Sequence, residues 1–82
     1  MAAQTLRNGT RPIARFETGG GIRYTLRSDG KILHQWRDSA NHLQPARLSK
    51  RSFDKNNDTL RMVELFTRLA SKMAPGVKVE IL

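Results

Sequence analysis

Between Gly21 and Arg37 the chain reads GIRYTLRSDGKILHQWR, and Arg23, Arg27, Lys31, Gln35 and Arg37 recur on one side of its alternating pattern. Guanidinium, ammonium and amide groups in such a row bind phosphates and reach base edges; they supply neither a nucleophile nor a proton-transfer pair. A second basic group lies in PARLSKRSFDK, residues 45–55, where Arg47, Lys50, Arg51 and Lys55 are opposed by Asp54 alone. Both groups point to polyanion binding.

Catalysis has little to work with. His34 and His42 are the only histidines, and neither has a second ligand-type residue at metal-binding spacing. There is no cysteine, so disulfides and cysteine-bound zinc are excluded. The acids are scattered, with no pair that argues for acid–base chemistry. Gly19, Gly20 and Gly21 fall between two strand patterns with no Lys following, which fits a hairpin connection and not a phosphate-cradling loop. No enzyme activity, metal or cofactor is expected.

A β-hairpin is needed to present the first basic row. Ile22, Tyr24 and Leu26 alternate with Arg23, Thr25 and Arg27, and Ile32, His34 and Trp36 alternate with Lys31, Leu33, Gln35 and Arg37. A two-residue Asp29-Gly30 loop would mix the two sets. A three-residue loop separates them: Ser28 and Asp29 form a type I turn, Gly30 takes the left-handed bulge position, and Arg27 faces Lys31. One face then carries Ile22, Tyr24, Leu26, Ile32, His34 and Trp36, with Trp36 expected inside, against the helix near Phe66 or Leu69. The other face is basic, with like charges opposite one another and no carboxylate expected among them.

Around the hairpin, Pro12 to Thr18 alternates as a first strand, with Ala14, Phe16 and Thr18 on one side and Ile13, Arg15 and Glu17 on the other. Asp38 to Gln44 is turn-like. Pro45 to Lys55 admits a short helix, an edge strand, or an extended loop anchored by Leu48 and Phe53. Asn57 or Asp58 caps a helix with the apolar stripe Met62, Val63, Phe66, Leu69, Ala70 and Met73, which ends at Ala74-Pro75-Gly76. Val77 to Leu82 alternates as a terminal edge strand, through which a homodimer could form. The expected fold is a small α+β domain over residues 12–82, a three-stranded antiparallel meander plus a C-terminal strand packed on one amphipathic helix. A flexible arm is expected over residues 1–11.

With 82 residues the chain makes one modest core and leaves little room for an enclosed cleft. Fifteen Lys and Arg against seven Asp and Glu give a net charge of +8, and the pI is near 11.2. That charge makes nucleic acid the leading partner, DNA ahead of RNA, with an acidic protein surface as the alternative. No apolar run approaches a membrane span, and the opening MAAQTLRNGTRP lacks the apolar segment of a secretory signal, so a cytoplasmic, membrane-free location is expected.

From Pro12 to Met73, three strands followed by one helix packed on a single face resemble in architecture the arm-binding domains of tyrosine integrases and the plant AP2 domain. Those domains dock a sheet in the DNA major groove; no diagnostic motif of either is present here, and the terminal strand departs from both. The resemblance implies that Arg23, Arg27, Lys31, Gln35 and Arg37 face DNA, with Arg47, Lys50 and Arg51 holding phosphates. The expectation from another class is a small interaction or inhibitor protein, of the size phages and plasmids encode, whose basic face docks an acidic host protein.

Overall fold

The computed structural model describes residues 10–82. It contains strands β1 (Pro12–Glu17), β2 (Ile22–Arg27), β3 (Lys31–Trp36), β4 (Arg47–Ser52) and β5 (Glu80–Ile81), with helix α1 (Thr59–Met73) between the last two. They form one antiparallel sheet in the order β4-β3-β2-β1-β5. The arm expected over residues 1–11 lies mostly outside the described residues. At its end Thr10 is buried, and Arg11 exchanges two hydrogen bonds with Ser28, through Ser28 Oγ and the Arg11 carbonyl.

The register of the β2–β3 hairpin is the one a three-residue turn requires. Ile22 faces Trp36, Tyr24 faces His34, and Leu26 faces Ile32. Gly30 has φ +86°, and its N–H donates to the Arg27 carbonyl at 2.9 Å. The Asp29 carboxylate fixes the turn further by accepting from the Lys31 N–H at 3.1 Å. Gly30 also receives β4: its carbonyl accepts from the Phe53 N–H at 2.8 Å, and a Cβ at this position would overlap the Phe53 carbonyl. The triglycine forms the β1–β2 connection, closed by the Gly21 N–H on the Thr18 carbonyl at 3.0 Å.

Two irregularities depart from simple alternation. The register of β1 shifts between Pro12 and Ala14, and Ile13, expected on the outer face with Arg15 and Glu17, is buried beside Ala14 and Phe16. An extra residue in one strand turns its side chain out of sequence, which is how two successive residues come to share the core. The segment with three open conformations is the edge strand β4. Its pairing sets Leu48 opposite Leu33 and Ser52 opposite Lys31, so Ser49, Lys50 and Arg51 stand against the single residue Ile32.

Helix α1 begins where Asp58 caps it, with Asp58 Oδ1 accepting from the Arg61 N–H at 2.8 Å. Met62, Phe66 and Ala70 form its buried line, meeting Ile13, Ala14, Phe16, Leu26 and Ile32. Phe66 packs on Phe16 with ring centres 5.1 Å apart, and Phe16 in turn stacks on Tyr24 at the same distance. A helix with its side chains is about 10–12 Å across, whereas five strands at a spacing of ~4.8 Å make a sheet about 20 Å wide. One helix therefore leaves part of the face uncovered. Burial falls away from the Gly30 turn on both hairpin strands, from buried Leu26 to half-buried Tyr24 and Ile22 and from Ile32 through His34 to Trp36.

Trp36 corrects the sequence expectation. Its face is the predicted one and its register is right, but it is 38% exposed and does not join the core around Phe66. His34 is likewise only half-buried. No helix among the described residues is long and apolar enough to cross a membrane.

Two stability measurements check this architecture. Phe66→Ala removes a fully buried ring at the helix–sheet contact and is expected to cost about 3–5 kcal/mol in denaturant unfolding. Gly30→Ala combines a left-handed backbone with overlap at Phe53 and is expected to cost at least ~2 kcal/mol. Midpoints equal to wild type for either variant would contradict the packing described.

Candidate nucleic-acid interface

The eight basic and amide residues singled out by sequence fall into two environments. Arg23, Arg27, Lys31, Gln35 and Arg37 lie on the face of the sheet opposite α1. There the expectation of an acid-free surface fails. Glu17 on β1 reaches across β2 to Arg37, with Arg37 Nε to Glu17 Oε2 at 2.9 Å, and also takes Arg23 at 3.4 Å. Asp29 pairs with Arg27 at 2.7 Å, and Glu80 on β5 pairs with Arg15 at 2.7 Å.

These pairs answer the repulsion that like charges would otherwise feel on a sheet surface, and the arginine stems lie along it as cover. Gln35 is also engaged, its Nε2 donating to the Gln44 carbonyl at 3.0 Å. Arg37 further donates to the Asn41 carbonyl at 3.4 Å. Hydrogen bonding and charge from Arg37, reinforced by Arg23, hold the Glu17 carboxyl below the usual carboxylate range despite the opposing effect of burial. Arg15 lowers the Glu80 carboxyl by the same means. Of the five outer-face residues, Lys31 alone has a side chain in no ion pair or hydrogen bond among the described residues.

Arg47, Lys50 and Arg51 are arranged differently. All three are exposed on β4, and among the described residues none enters an ion pair. Lys50 and Arg51 occupy the three-against-one bulge, tightened by the Arg51 N–H donating to Ser49 Oγ at 3.2 Å. Bulges at sheet edges bend the strand and re-aim its side chains. Here a depression lined by Tyr24, His34, Leu48, Ser49, Lys50 and Arg51 opens beside the bulge, on the side of the sheet that α1 leaves uncovered.

The chemistry that sequence placed out of reach is the aromatic surface beside these cations. His34 and Trp36 are near-parallel, with an interplanar angle of 27° and ring centres 6.2 Å apart. The Arg47 guanidinium lies 5.4 Å from the centre of the Trp36 ring, a cation–π distance. Alternation assigns a residue to a face but does not say how far along that face the covering helix extends. The available signal was the ratio of the four expected strands to a single helix.

No cluster of three or more metal-ligating residues occurs among the described residues. The class defined by this geometry is a small α+β domain with a five-stranded antiparallel sheet, one helix and a basic edge. No protein-family model, curated protein or solved structure matches the chain.

The ion pairs of Glu17 make its contribution to stability pH-dependent. Because its folded-state pKa is lowered, that contribution is present above the unfolded Glu value of about 4.3 and is lost as pH falls through the folded value. Glu17→Gln is expected to flatten the acid limb of stability as pH falls below about 5, read from urea midpoints. A variant with the same acid limb as wild type would show that these contacts contribute nothing.

Proposed function

We propose that this protein binds nucleic acid, with the β4 edge as the centre of the contact, and that it does so without catalysing a reaction. The observation that carries this is the gathering of Arg47, Lys50 and Arg51 on one exposed strand with no acid paired to them among the described residues, two of them within the bulge. Phosphates are the ligands that such a row satisfies, and the net charge of +8 adds a long-range attraction to them. Lys31, opposite Ser52 at the end of the bulge and in no ion pair among the described residues, adds a fourth cation at this edge from the other face of the sheet. Arg23, Arg27 and Arg37 serve first as structural partners of Glu17 and Asp29; they reach a polyanion only by exchanging carboxylate for phosphate.

Four phosphate contacts imply a slope of log affinity on log salt of about −3 for single strands and about −4 for duplex. Lys50→Ala with Arg51→Ala should reduce that slope to roughly half while leaving the fold intact. Glu17→Gln frees Arg23 and Arg37. It should leave affinity within about twofold if the β4 edge carries binding and raise it if the outer face does. A folded sample that binds neither duplex nor single strands at low salt would overturn the proposal and favour docking on an acidic protein.

A further inference from the structure

Resting on that proposal, we infer that the nucleic acid taken at this surface is single-stranded, with its bases stacked on the uncovered aromatic shelf and its phosphates on β4. Three observations converge. His34 and Trp36 form a near-parallel pair on the helix side of the sheet, and Tyr24 stands opposite His34 across the β2–β3 ladder. Helix α1 does not cover this end of the sheet, so Trp36 is 38% exposed although it has the largest apolar side chain in the hairpin. Arg47, Lys50 and Arg51 line the same side, with Arg47 already over the Trp36 ring.

An exposed indole flanked by unpaired cations fits a ligand that alternates flat rings with anions. Single strands offer both, because their bases are free to turn away from one another and stack on protein rings. A duplex keeps its bases stacked inside and presents only groove edges, which rings lying against a sheet surface do not reach. A base that replaces the Arg47 guanidinium on the indole face leaves that guanidinium free for the adjoining phosphate. Tyr24, backed by Phe16 and Phe66, fixes the shelf to the core, so its buried edge needs no reordering on binding.

Trp36 is the sole tryptophan, so its fluorescence reports on this site alone. Titration of the full chain with a ten-nucleotide oligo-dT, an oligo-rU of equal length and a duplex of equal length is expected to quench Trp36 with the single strands and leave it unchanged with duplex. The two single strands distinguish DNA from RNA as the natural source. Trp36→Ala is expected to lose about 10- to 100-fold in single-strand affinity with the salt slope retained, and Trp36→Phe to recover most of it. His34→Ala should show a smaller loss in the same direction.

Unquenched fluorescence, or single-strand affinity unchanged in Trp36→Ala, overturns the stacking inference. If Lys50→Ala with Arg51→Ala still weakens binding in that case, nucleic-acid binding stands and only the base-stacking site is lost. If neither variant alters binding, both fail.

Discussion

The left-handed backbone of Gly30 and its close approach to Phe53 determine how the two halves of the sheet meet. The positive φ lets three residues close the β2–β3 turn, which fixes the hairpin register and with it the face of every side chain from Ile22 to Trp36. The absence of a Cβ lets the Phe53 backbone come close enough for its N–H to reach the Gly30 carbonyl, which ends β4 against the start of β3. From there the chain enters the 54–58 turn and α1, whose Phe66 must return over Phe16. The uncovered shelf and the exposed edge are what remain once the helix has been committed to that side.

The distribution of acids explains where the positive charge is left over. Glu17, Asp29, Glu64 and Glu80 are each held by arginines. Asp38 closes the β3–β4 connection by accepting from the Ala40 and His42 N–H groups, Asp54 accepts from Asn56, and Asp58 caps α1. Every acid among the described residues therefore has a structural partner, and none stands on β4. A high net charge becomes a localised one because the few carboxylates are all used elsewhere.

Much of this was legible in the sequence. Asp29-Gly30 between two alternating runs specified both turn and register, and the spacing of Met62, Phe66 and Ala70 specified the buried line of the helix. Three features were not legible, each for a physical reason. The reach of Glu17 to Arg37 depends on the pairing of β1 with β2 and on two long side chains crossing an intervening strand. Ile13 enters the core only because of a local register shift. The strand character of Arg47–Ser52 was hidden by the bulge, which breaks the period-two pattern on which strand recognition depends. The exposure of Trp36 belongs to the same class, since it depends on the extent of a covering element and not on local alternation.

The β4 bulge has a further consequence for the chain's own association. A regular six-residue strand at the rim of a sheet offers a continuous row of backbone donors and acceptors onto which another chain can add. Three residues standing against one interrupt that row, and unpaired cations on it repel a second copy carrying the same charge. The irregularity that gathers Lys50 and Arg51 thus also guards this margin against self-templated growth, so that copies crowded together need not seed a fibre along it.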